Sequence, residues 1–99
     1  MKSNEKQVQN AVIKYLALKK YFYWRNNSGA LKTERGGFIR FGAVGSPDIF
    51  VIHKGRIIGL EIKDKSRQSE GQKEFEENMK REGGEYYIIR SIDDIMKVL

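Results

Sequence analysis

Pro47-Asp48-Ile49-Phe50-Val51-Ile52-His53-Lys54-Gly55-Arg56-Ile57-Ile58-Gly59-Leu60-Glu61-Ile62-Lys63 is the stretch on which the fold turns. Two β-rich runs, Asp48 to Ile52 and Arg56 to Lys63, flank His53, Lys54 and Gly55, so the stretch reads as an antiparallel hairpin turning at Lys54-Gly55. A two-residue turn pairs His53 with Arg56. Counting back along both strands sets Val51 against Ile58, Phe50 against Gly59, Ile49 against Leu60 and Asp48 against Glu61. Side chains alternate between the faces of a strand, so Ile49, Val51, Ile58 and Leu60 form an apolar face while Asp48 and Glu61 share the other. Pro47, the only proline, stands just before the first run, where a missing amide breaks no ladder bond.

Outward from the hairpin, the N-terminal side opens with Val8, Ala11, Val12, Tyr15 and Leu16 on one helical stripe, which predicts a helix from about Glu5 to Lys19. Asn4 suits its N-cap and Gln7 the partner position of a capping box. Tyr21 to Asn26 reads as an aromatic strand, Asn27 to Gly37 as a loop, and Phe38 to Phe41 as a short candidate strand. On the C-terminal side, Ser69 to Glu82 forms a second helix, with Ser69 and Gln72 as capping box and Gly83-Gly84 as stop. Glu85 to Arg90 is a last strand, and Ser91 caps a closing helix bearing Ile92, Ile95, Met96 and Leu99. The order αβββαβα, with the extra short strand near Phe38, predicts an α/β fold: one domain over residues 1–99, a single mixed sheet with helices on its faces.

Directly opposed residues of an antiparallel pair hold their Cβ atoms about 4.5–5.5 Å apart, so both acids could grip one cation. Like charges opposed on a sheet are destabilising, and a divalent cation removes the conflict. Oxygen ligands and an absence of cysteine favour magnesium or manganese over zinc. Lys63 lies two residues past Glu61 on the same face, about 7 Å along the strand. There an ammonium could orient a metal-activated water or offset charge as a phosphodiester is attacked. The plainer alternative makes Glu61 and Lys63 solvent-facing charges on an edge strand, with Asp48 merely following a turn. Glu5 leans toward the stripe of the first helix, where an acid either meets a cation or interacts with the helix dipole. Gln72 either serves the site or only its capping box.

The chain has 19 Lys and Arg against 13 Asp and Glu, a net charge of +6 that would attract a polyanion such as nucleic acid, although an ordinary basic surface has the same signature. Cysteine is absent, which excludes disulfides, thiolate zinc sites and cysteine nucleophiles. No run approaches the roughly 18 apolar residues of a membrane span, and Met1 to Gln7 carries no signal-peptide core, so no membrane association and an intracellular location are expected, the cytoplasm or, for a viral protein, that of the host. No phosphate-binding Gly-Lys-Ser/Thr loop and no serine triad is present.

Pro47-Asp48 followed by Glu61-Ile62-Lys63 resembles the PD-(D/E)XK nuclease signature. Together with Glu5, Trp24-Arg25-Asn26, Ser28-Gly29, Gly45-Ser46, Gln72 and Phe75, the chain is similar over nearly its whole length to the virus-type replication and repair nuclease domain, VRR-NUC, in its stand-alone phage-type form. The resemblance implies a restriction-endonuclease-like core and a Mg2+ or Mn2+ held by Asp48, Glu61 and the Ile62 carbonyl, with Glu5 contributing directly or through water. Lys63 would assist the nucleophile and Gln72 would brace Lys63 or the site. It implies a DNA-repair endonuclease and homodimer that cuts four-way (Holliday) junctions.

Lys32, Arg35, Arg40, Lys65 and Arg67 are the candidates to hold phosphates beside such a site. The Tyr21-Phe22-Tyr23-Trp24 run reads as core, with base stacking as the other possibility. Two alternatives to the nuclease stay open on sequence: a basic nucleic-acid-binding module without catalysis, and a small interaction protein whose acid pair is incidental.

Overall fold

The hairpin register expected from the turn holds along its length. In the computed structural model, which describes residues 4–26, 29–41 and 43–99, β4 (Ile49–His53) pairs antiparallel with β5 (Arg56–Ile62), placing His53 opposite Arg56, Val51 opposite Ile58 and Ile49 opposite Leu60. Lys54 (φ 50°) and Gly55 (φ 82°) both take positive φ, as the two-residue turn that matches strand twist requires.

Around this hairpin, β1 (Phe22–Arg25) adds antiparallel to β4 and β6 (Glu85–Ile89) adds parallel to β5, giving a four-stranded mixed sheet in the order β1-β4-β5-β6. The parallel step from β5 to β6 needs a crossover, supplied by α2 (Glu70–Arg81). The other helices are α1 (Glu5–Leu18) and α3 (Ile92–Val98). Val12, Leu16 and Ile95 from α1 and α3 pack into one buried cluster with Ile49, Val51, Ile58, Leu60, Ile62 and Ile89. This is the apolar face foreseen in the hairpin. α2 lies over the opposite face: a Cβ on Gly59 would stand 2.7 Å from Pro47 Cγ and 3.3 Å from Met79 Sδ, so the missing side chain is what lets Pro47 and α2 close on β5.

The fold is α/β, with two departures from the expected arrangement. Gly29–Lys32, read as loop, is β2; it pairs antiparallel with β3 (Phe38–Phe41) as a separate two-stranded sheet, so the strands do not form the single sheet expected. The observed element order is αβββββαβα. The expected aromatic core strand is also half turned outward: Tyr21 and Tyr23 pack on the core, whereas Phe22 and Trp24 are exposed, because β1 is an edge strand that α2 does not reach across.

The helix ends differ in how they are held. Ser69 and Gln72 form the full capping box of α2, and the amide of Gly84 bonds the Met79 carbonyl where the helix stops. Asn4 makes no side-chain cap; its amide donates to Asp64 Oδ2 and so ties the start of α1 to the loop after β5. Ser91 likewise makes no side-chain cap for α3, and Asp94 Oδ2 accepts from the Arg90 amide at that end. Among the described residues no helix is long and apolar enough to cross a membrane.

Candidate active site

Asp48 immediately precedes β4 and Glu61 stands in β5 next to its last residue, at the end of the hairpin remote from the Lys54-Gly55 turn. Extending the observed register by one pair sets them opposite each other. Asp48 Oδ2 accepts the Ile62 amide at 2.7 Å, which fixes that carboxylate against β5. The two carboxyl groups are near enough that each influences the other's charge. Glu61 is only 4% exposed. Burial, and then the neighbouring Asp48 charge, push Glu61 up to about 8; burial is also the leading reason that Asp48 is raised, against the lowering effect of the Ile62 amide.

Two groups of different chemistry attend Glu61. Lys63 Nζ lies 3.7 Å from its Oε2, and Gln72 Nε2 donates to the same oxygen at 3.0 Å. The capping box and the site are therefore not alternatives for Gln72: its Oε1 accepts the Ser69 amide while its Nε2 reaches Glu61. Glu61 Oε1, by contrast, is buried and accepts no hydrogen bond among the described residues. A buried carboxylate oxygen without a partner is costly and wants a cation or proton.

The loop that carries Asp48 is held from two sides. Asn26, just past β1, donates through Nδ2 to Ser46 Oγ at 2.8 Å and to the Pro47 carbonyl at 3.0 Å, and its amide donates to the Asp48 carbonyl at 2.7 Å. On the other side, Gly45 (φ 79°) presses its backbone against Gly71 at the start of α2, where any Cβ would collide with the Gly71 carbonyl. This contact locks the Asp48 loop to the helix that carries Gln72.

Glu5 stands near the pair: its Oε1 accepts from Ser66 Oγ at 3.1 Å, and its charge is one of the smaller influences raising both Asp48 and Glu61. Among the described residues no group of three or more His, Cys, Asp or Glu gathers as a metal cluster. The Ile62 backbone reaches Asp48 through its amide, and its side chain is buried in the core. Lys65 and Arg67 are exposed on the loop between Lys63 and α2; Lys32 and Arg35 are exposed at the end of β2 and in the turn after it. Arg40 stands on β3 with its side chain outside the described residues, as is Ser28.

Tyr86 was not expected near the site. It is the β6 partner of Gly59 and its hydroxyl is buried; burial first, opposed by Gln68 and aided by the charges of Glu61, Glu76 and Asp48, pushes it up to about 12. A groove of about 430 Å³ between β6 and α3 is lined by Tyr87, Ile88, Ile89, Arg90, Asp94, Lys97 and Val98, and by neither acid.

The donor set suits a hard dication. Both acids offer oxygen only, and among the described residues Glu61 has an unused buried oxygen and a single ammonium, that of Lys63, as ion-pair partner. Magnesium commonly takes one or two carboxylates and completes its shell with water and phosphate, so a carboxylate pair is enough. An acid pair with a lysine beside it thus stands at the end of a central hairpin in an α/β sheet. Compared with protein-family models, curated proteins and solved structures, the chain matches none.

Proposed function

We propose that this chain is a Mg2+- or Mn2+-dependent endodeoxyribonuclease of the VRR-NUC type, hydrolysing phosphodiester bonds in branched DNA such as four-way junctions. The observation that carries the proposal is the unpartnered, buried Glu61 Oε1 beside Asp48, an arrangement that a dication would complete. The chemistry such an ion supplies is polarisation of a phosphodiester oxygen and activation of water.

The protein's own residues then have distinct tasks. Asp48 and Glu61 would hold the ion. The Ile62 amide fixes Asp48, and Gln72 fixes Glu61 through Oε2, leaving Oε1 free for coordination. Lys63, largely sheltered, keeps its ammonium against Glu61, where it can orient the attacking water and offset negative charge gathering on the phosphate. Glu5 would act at the rim, through Ser66 or water. Lys32, Arg35, Arg40, Lys65 and Arg67 would bind flanking phosphates without reading bases. Symmetric cuts across a junction call for two copies of the site, hence a homodimer.

Incubation with labelled four-way junction, flap and linear duplex, with and without Mn2+, tests this. Cation-dependent cutting that favours the junction is expected, and absence of cutting on all three substrates refutes it. A second reading, a basic DNA-binding module without catalysis, draws on the +6 charge and on the Lys63–Glu61 ion pair, which partly neutralises the acid without any metal. It predicts DNA affinity that falls steeply with salt and no cleavage.

A further inference from the structure

We propose that the exposed face of Phe22, Trp24 and Phe50 is a stacking platform for an unpaired base of a nucleic-acid strand whose backbone continues to the Asp48–Glu61 pair. The path to the acids rests on the nuclease reading; the platform itself does not.

Register fixes the geometry. Trp24 pairs with Phe50 and Phe22 with Ile52 across β1 and β4. The Asn26 amide bonds the Asp48 carbonyl, which continues the pairing by one residue past Arg25 and Ile49 and lies two residues from Trp24 and Phe50. Trp24 and Phe50 therefore share a sheet face with Asp48 and Glu61, one strand repeat away, or roughly 7 Å. That exceeds the roughly 3.4 Å axial step of stacked duplex DNA, so it suits an extended, unstacked strand.

The rings are arranged as a surface and not as a core. Trp24 lies nearly parallel to Phe50, with centroids 5.4 Å apart at 25°, and Phe22 tilts against Trp24 at 6.0 Å. Phe22 is 66% and Trp24 41% exposed. α2 meets this sheet face through Met79 at Gly59 and Gln72 at Glu61, while Phe22 and Trp24 remain exposed. Aromatic faces left in water serve no packing purpose, whereas every base presents a π-face that such rings accept.

A base is a better occupant than a second copy of the chain. The apolar side chains exposed here, Phe22, Trp24, Ile52 and Ile57 with half-buried Phe50, fall far short of the roughly 20–30 residues per partner in a stable protein interface. The net charge of +6 favours a polyanion at this face over an equally charged second copy, and the proposed homodimer would use another surface.

Trp24 is the only tryptophan, so its fluorescence reports the platform alone. The chain, in chelator, is titrated with an oligothymidylate on the order of ten nucleotides long, an abasic strand of equal length and a blunt duplex. Quenching by oligothymidylate alone is expected, with affinity roughly five- to a hundred-fold above that for the abasic strand. Phe22→Ala, at a largely exposed position, should fold normally and weaken that quenching. Equal affinity for the abasic strand without quenching overturns the platform. So does an emission that instead tracks protein concentration with a doubling of mass, since a second copy would then cover the face. Cleavage with Mn2+ is scored separately: quenching without cleavage sinks the nuclease and keeps the platform, and cleavage without quenching does the reverse.

Discussion

Glu61 is built into a place that suits its backbone and penalises its charge. Its strand is the most buried in the sheet, yet its carboxylate faces a second one. The pH dependence follows. A folded value near 8 against an ordinary 4.5 means that the folded state binds a proton that the unfolded chain has released, so metal-free stability falls as pH rises from about 4.5 to about 8. Melting temperature in chelator should trace that decline, and Glu61→Gln should flatten it. Asp48→Asn should abolish cleavage while raising metal-free stability by on the order of 1 kcal/mol, because one of two opposed charges is gone; a lower melting temperature in that variant would count against the paired-carboxylate site. Glu85 behaves oppositely. Its two-pronged bond to Arg56, at 2.8 Å on each oxygen, and a bond from the Tyr87 hydroxyl hold it down to about 2, so its contribution is present above the ordinary carboxylate range and disappears as pH falls toward 2.

Elements differ in how far sequence alone reveals them. The β4–β5 register is legible because Lys54-Gly55 specifies a two-residue turn and the side-chain period of two leaves one arrangement that buries Ile49, Val51, Ile58 and Leu60. The opposition of Asp48 and Glu61 follows from it. The α2 ends are legible for the same reason, since capping is local chemistry. What escapes is tertiary. Gly29–Lys32 becomes a strand only through pairing with Phe38–Phe41. Alternation in Phe22-Tyr23-Trp24 shows two faces but not which one a helix will cover. Asn26 reaches Ser46 across twenty positions of chain, a link that composition does not signal. α2 also carries a prediction of its own: Ser69→Ala removes the hydroxyl that accepts the Gln72 amide, costs about 1 kcal/mol, and loosens the Gln72 bond to Glu61, visible together as a lower melting temperature and weaker metal affinity.

Across the whole molecule, residues from Asn26 to Gln72 converge on one end of the sheet, so a bound ion should stabilise the entire fold. Mn2+ at about a hundred times its dissociation constant should add about 2.7 kcal/mol, read as a rise in melting temperature that Asp48→Asn removes. A flat response in the unaltered chain would rule the ion out. The antiparallel hairpin has a kinetic consequence as well. Its strands are joined by the shortest connection in the sheet, whereas β6 must wait for α2 to cross over. Local pairings form early, so the opposed acids meet before Gln72 arrives to hold one of them. Refolding in chelator should therefore slow as the solution is made more alkaline, and a little manganese in the refolding buffer should restore the speed.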